Sequence, residues 1–317
     1  MKIINDLDFK KQARELNVKI WQAPSFLFLM MGIVIIIAMT ATYFVSKNYD
    51  SPETLALAEC VIVAVIFIIG NSVIREIEQF AKLNKMKSEF VSVASHQLRT
   101  PLSAINWGTE LLFSKFDEGL SDKQKETIRN INQLGKKMMR LVNDLLDVTK
   151  IDQGSLILKK EKFNLVKLAK EVVENMLPLA RVHNVQIIFG DNHEEFLVFG
   201  DPEKIRLVVE NLLSNAVKYN SDKGRVEIDF KTKNGLVICS IKDNGVGIPE
   251  GQQEQVFEKF FRSDNSVKYQ TEGTGLGLYI AKNIIKQSGG EIWFWSKEKK
   301  GSVFNFSLPA YSQSNTR

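Results

Sequence analysis

Three short stretches concentrate side chains suited to phosphate chemistry. "NLLSNAVKY" (211–219) sets Asn211, Asn215 and Lys218 four and three residues apart, one face of a helix, with Tyr219 next to Lys218. Amide oxygens are hard ligands of the kind Mg²⁺ takes, and an ammonium suits a phosphate. "DNGVGIP" (243–249) closes a strand-like run with Asp243, then supplies Gly245, Gly247 and Ile248. "GTGLGL" (273–278) interleaves Gly273, Gly275 and Gly277 with Thr274, Leu276 and Leu278, directly before a helical pattern. Backbone amides at a helix start can hold phosphate oxygens where small side chains leave room. Each stretch alone is compatible with a plain turn or a solvated helix face; the three make sense together and poorly apart. A fourth stretch, "VASHQLRTPLSAI" (93–105), holds His96 and Pro101 inside a helical pattern. A neutral imidazole has an unshifted pKa of about 6.5 and is a competent nucleophile at cytoplasmic pH. His183 and His193 have no such setting and are assigned no role.

These groups need elements to position them. From about residue 76, Phe80, Leu83, Met86, Phe90, Val93, Leu98, Ile105 and Leu112 recur at helical spacing, and His96 falls outside their stripe. After the polar gap "SKFDEGL", Ser121 and Gln124 form a capping-box pattern. The next helix carries Ile128, Ile131, Leu134, Met138, Leu141, Leu145 and Val148, and should stop at Gly154. Two such helices cannot bury both stripes, so a second copy completing a four-helix bundle is expected. A bend is expected at Pro101, which removes an amide from the helix ladder. Beyond Gly154 the pattern is α/β. "LILKKEKFN" reads as a strand ending on the cap Asn164, followed by a helix over 165–181 and the strands "VQIIF" and "FLVFG". Asp201-Pro202 starts the helix that carries Asn211. Two strands flank the turn at Asn234-Gly235, and a helix near 276–288 and two more strands finish an α/β sandwich with helices on one face.

Composition places the chain elsewhere as well. Residues 26–45 contain no charge, and residues 54–74 contain only Glu59. Twenty residues of helix span about 30 Å, so two transmembrane helices are expected. Lys2, Lys10, Lys11, Arg14 and Lys19 precede the first run, and Arg75, Lys82, Lys85 and Lys87 follow the second, against Lys47 alone between them. That asymmetry puts both ends in the cytoplasm of a multi-pass protein. Glu59, an ionisable group costly in lipid, reads either as a sensing residue or as one that, near the outer end of its run, reaches the headgroups. The net charge of +5 collects near these runs, and no nucleic-acid partner is expected. The two cysteines, Cys60 and Cys239, offer no disulfide framework or metal spacing and read as core residues.

Taken in order, the three phosphate stretches, with "VFEKFFR" (256–262), "SGGEIWFWS" and "GSVFNFSLP", resemble the gyrase-like ATP-binding domain of bacterial two-component sensor histidine kinases. "SHQLRTPL" resembles the phosphoacceptor motif of the same family. The resemblance implies a protein histidine kinase that phosphorylates His96 from ATP and passes the group to an aspartate of a response regulator receiver domain. It implies that Asp243 receives the adenine amino group and that Asn215 holds Mg²⁺. Asn211 and Lys218 would lie at the phosphates, and Tyr219 and Ile248 would flank the base. A lid over about 250–276 would cover the nucleotide, with Arg262 and Lys268 reaching the phosphates. Thr100 matches a residue that relatives use in dephosphorylating the regulator. Gln97 departs from the pattern, which usually has an acid there: an amide can orient the imidazole but cannot take its proton. The implied order is a cytoplasmic segment (1–25), a span (26–45), a short external turn (46–53) and a second span (54–74). A linker helix (75–88), a homodimeric dimerisation and phosphotransfer domain (89–155), an ATP-binding domain (156–310) and a tail (311–317) follow. With so short an external turn, the stimulus is expected within the lipid bilayer, at the hairpin or through a membrane sensor partner.

Overall fold

The computed structural model describes residues 9, 20–46, 52–116, 119–190, 195–220, 223–264 and 273–311. They form two compact units, residues 1–97 and 98–317. The first unit is helical. α1 (Pro24–Ser46) and the start of α2 (Pro52–Phe116) follow the two apolar runs, and α2 continues through them without a break. Gly70 of α2 gives Met31 of α1 its place: a Cβ there would lie 2.2 Å from the methionine sulfur. Both helices are long and apolar enough to cross a membrane, with windows of mean hydropathy 2.3 and 2.4. Cys60 lies on the exposed surface of α2 and is not a core residue, because no described residue covers it there; Cys239 is fully buried.

In the second unit α2 runs on to Phe116, taking in the start of the expected polar gap, and it passes Pro101 as continuous helix. Pro101 removes one amide from the ladder, yet the residues on either side keep theirs, so the expected bend is not a break. α3 (Asp122–Asp152) begins at the Ser121 capping box and ends two residues short of Gly154, with Gln153 as its C-cap; Gly154 takes φ +62°. The seam between α2 and α3 is partly polar. Leu102 and Val142 are buried, Asn132 donates to Thr109 Oγ1 (2.7 Å), and a Cβ on Gly135 would lie 2.1 Å from Asn106 Oδ1. The apolar stripes lie elsewhere: Leu98, Ile105, Leu134 and Met138 are all exposed, Leu134 to 59%.

The α/β layer follows: β1 (Glu161–Asn164), α4 (Leu165–Val182), β2 (Val185–Phe189), β3 (Leu197–Gly200), α5 (Pro202–Lys218), β4 (Gly224–Lys233), β5 (Leu236–Asp243), α6 (Gly277–Gln287), β6 (Ile292–Lys297) and β7 (Gly301–Pro309). Only the last four residues of "LILKKEKFN" are strand, because just those meet a partner, β3. The main sheet has the order β2-β4-β5-β7-β6, parallel at β2–β4 and antiparallel elsewhere. Along β4, Val226, Ile228 and Phe230 are buried, while Arg225, Asp229 and Lys231 face solvent. The buried face meets Leu212, Leu213, Ile280 and Ile284 of the helices in one apolar core. Burying such side chains contributes about 1.5–3 kcal/mol each.

Candidate functional site

α5 is held at both ends, and this fixes the face it presents. At its start Asp201 accepts from Lys204 N (3.1 Å) through Oδ1 and from Lys159 N (2.8 Å) through Oδ2. At its end Tyr219 N donates to Asn215 O (2.9 Å), while the Tyr219 carbonyl accepts from Val246 N (3.0 Å). The last turn of α5 is thus tied to the loop after β5. A Cβ on Gly245 would lie 2.2 Å from that Tyr219 carbonyl, so the close approach requires glycine. Ile248 is steadied by Ser296 Oγ, which accepts from its amide at 2.8 Å. Across from them the glycine loop turns at Gly275 (φ +71°), packed on the backbone of Phe260, and leads into α6, whose first turn has no side-chain cap. Asn211 Nδ2 donates to Gly277 O (3.4 Å), joining α5 to that helix start.

These elements enclose a cavity of about 400 Å³. Of the residues expected from sequence, Asn211, Asn215, Lys218, Tyr219, Asp243, Gly247, Ile248, Gly273, Thr274, Gly275, Gly277 and Leu278 line it, together with Arg262. Gly245 and Leu276 do not: Gly245 sits behind the wall against Tyr219, and Leu276 is buried in the core. Lys268 lies outside the described residues.

Asp243 is the buried polar centre of the cavity. Burial pushes its carboxyl up to about 6, against the amides of Gly245 (2.9 Å) and Ser302 (3.2 Å) that donate to Oδ1. Oδ2 has no hydrogen-bond partner among the described residues, and so remains an acceptor for a donor entering the cavity. Glu210 also lines the wall, its carboxyl raised by burial. Sequence reasoning missed the residues of α3 that reach the cavity: Lys137, Arg140, Leu141 and Asp144. Asp144 Oδ2 accepts from Thr274 Oγ1 (3.2 Å), which accepts in turn from Leu276 N (3.2 Å). Burial raises the Asp144 carboxyl above its ordinary range, against that hydrogen bond. The available signal was the helical spacing of 137, 140, 141 and 144, but nothing local distinguishes it from a solvated face.

His96 lies on α2, exposed, as are Gln97 and Thr100; Ser95 beside it is buried. His96 and Thr100 are four residues apart and share a helix face. Arg99 donates to Asn143 Oδ1 of α3 at 2.9 Å.

Two family models match the chain. Residues 200–312 match the histidine kinase-, DNA gyrase B- and HSP90-like ATPase, and residues 86–154 match the His Kinase A (phospho-acceptor) domain. The chain is 34% identical over 228 residues to the circadian input-output histidine kinase CikA of Synechococcus elongatus, covering 71% of this chain and 30% of that protein. It is 33% identical over 240 residues to the sensor histidine kinase WalK of Bacillus subtilis, covering 75% and 39%. It therefore spans about a third of the length of these relatives. The crystal structure of full-length ShkA in complex with AMPPNP superposes with a TM-score of 0.59 at 25% identity, over 71% of this chain and 46% of that one. The chain belongs to the sensor histidine kinases of two-component systems, with the phosphoacceptor module on α2–α3 and the ATPase module in the α/β layer.

Proposed function

We propose that this protein is a membrane-anchored, homodimeric histidine kinase that phosphorylates His96 from ATP and passes the group to an aspartate of a response regulator. One observation carries the reading. A single cavity gathers a buried acceptor (Asp243), amides and a lysine on one helix face (Asn211, Asn215, Lys218) and a glycine-lined helix start, in a chain that also exposes His96 within "SHQLRTPL". Asp243 Oδ2 accepts from the adenine amino group, with Tyr219 and Ile248 beside the base. The amides of the glycine loop and Lys218 take the phosphates, where preorganised donors are most effective. Among the described residues no cluster of three His, Cys, Asp or Glu could hold a metal ion. Mg²⁺ would be held by Asn215, whose amide oxygen is a hard ligand, and by the nucleotide's own phosphates, and it would neutralise charge at the phosphoryl group.

In the transfer, a nitrogen of His96 attacks the γ-phosphorus, the bond to the bridging oxygen breaks, and ADP leaves with the electron pair. Gln97 orients the ring through its amide oxygen but cannot accept the proton, which passes to water. Thr100, on the same helix face as His96, is placed to position water for the reverse task of dephosphorylating the regulator. The two apolar helices cross the cell membrane with both termini in the cytoplasm; the lysines and arginines flanking the two runs, against Lys47 alone between them, support that orientation. The exposed stripes of α2 and α3 meet a second copy.

The test is incubation of the full chain with γ-labelled ATP. Label that is acid-labile and base-stable, and that disappears in His96→Gln, is expected. Gln97→Glu, which restores a proton acceptor, is expected to speed labelling by about 10²-fold at most. Hydrolysis of ATP with no label on protein would instead make this a gyrase-type ATPase, and binding with neither would make it a scaffold.

A further inference from the structure

The cavity is not walled by the α/β layer alone. Lys137, Arg140, Leu141 and Asp144 of α3 line it, and their spacing places them on one helix face. Three acids of the same helix fasten α3 to the layer. Asp144 takes Thr274 Oγ1 at 3.2 Å, Asp147 takes Lys204 Nζ at 3.0 Å, and Asp152 takes Lys259 Nζ at 2.6 Å and the Tyr279 hydroxyl at 3.0 Å. These anchors spread over more than two helical turns, so they set the rotation of α3 as well as its distance. Within the face so held, Arg140 has no hydrogen-bond or ion-pair partner among the described residues. Its planar fork of donors matches phosphate oxygens; the Asp144 carboxylate one turn on attracts it without a hydrogen bond or close ion pair, so its donors stay open to an anion in the cavity.

We propose that Arg140 binds the polyphosphate of the nucleoside triphosphate, so that the nucleotide site is completed by the helical hairpin and only while α3 is docked. This rests on the reading of the cavity as a nucleotide site. Asp144, Glu210 and Asp243 also line the cavity and oppose an anion, but one Asp144 oxygen is engaged by Thr274, and Lys137, Arg140, Lys218 and Arg262 together outweigh the three acids. By linkage, whatever factor docking adds to triphosphate affinity, triphosphate adds to docking. The nucleotide thus latches the hairpin to the layer through side chains that an isolated ATPase module lacks.

The experiment measures affinities of the full chain, in lipid nanodiscs, for ATP, ADP and adenosine. Arg140→Ala is expected to raise the Kd for ATP about tenfold, that for ADP less, and that for adenosine not at all, with part of the loss recovered in Arg140→Lys. Asp152→Ala removes an anchor outside the cavity. It is expected to weaken ATP binding several-fold and to shrink the effect of Arg140→Ala in the double variant. Unchanged ATP affinity in Arg140→Ala overturns the proposal, and so does an equal loss for adenosine, which would mark a packing effect. ATP binding insensitive to Asp152→Ala overturns the dependence on docking. Failure of the unaltered chain to bind ATP at all would sink the nucleotide reading itself.

Discussion

Asp243 is buried where a charge is costly, and that burial pushes its carboxyl up to about 6. The shift lies above the ordinary 3.8, so the folded chain binds a proton more tightly than the unfolded one. Its stability contribution is therefore full below about 3.8 and is lost as pH rises through about 6. At pH 8 the empty domain holds a destabilising anion. Asp243→Asn can keep the bonds from Gly245 and Ser302 through its amide oxygen while removing the charge. It is expected to raise the Tm of the nucleotide-free domain by several degrees at pH 8 and to leave it nearly unchanged at pH 4. The same variant turns a donor toward the adenine amino group, and ATP affinity should fall by about 1.5–3 kcal/mol in calorimetry. In the unaltered chain, ATP affinity should weaken as pH falls through 6 and the acceptor protonates. A Tm unaltered at pH 8 would show that the buried carboxylate carries no such cost.

At the scale of elements, the glycine loop depends on a backbone that ordinary residues resist. Gly275 has φ +71°, and a Cβ there would stand 2.7 Å from the Phe260 carbonyl carbon, backbone against backbone with no flexible side chain to yield. Gly275→Ala is expected to cost at least about 1–2 kcal/mol, from the left-handed conformation alone, before the clash is counted. Thermal unfolding should report that loss, and ATP affinity should fall with it as the loop moves off the start of α6. By contrast, the helices and strands that carry the site were legible from pattern. The Ser121 capping box, the Asn164 and Asp201 caps and the Asn234-Gly235 turn act through neighbours two or three residues away. One miss at this scale also has a local explanation. Residues 156–160 have strand composition but find no strand to pair with among the described residues.

For the whole molecule, the exposed stripe is the unfinished part of a single chain. Phe90 (74% exposed), Leu134 and Met138 stand exposed among the described residues, and apolar area of that kind is what the proposed second copy would bury. Introducing Leu134→Glu with Met138→Glu should weaken dimerisation by about a hundredfold or more in light scattering, since two charges would enter each half of the core. Nucleotide binding should survive, because neither residue lines the cavity. A dimer as tight as before would place the interface elsewhere.

The order of amino acids by itself determined what depends on near neighbours. That includes the apolar runs, the helix periods and caps, the strand alternation, and the glycine-rich stretch before a helix as a place where backbone amides can meet phosphate. The tertiary structure alone decided which distant residues join them. Asp144 and Arg140 lie some 70 positions before Asn215 and have an ordinary helical spacing. They line the cavity only because α3 packs along the α/β layer through Asp144, Asp147 and Asp152. Likewise Leu276, which reads as part of the phosphate loop, is turned into the core by the start of α6. Local sequence sets dihedral preferences and polarity patterns, whereas the meeting of remote faces depends on packing the whole core, which no short window contains.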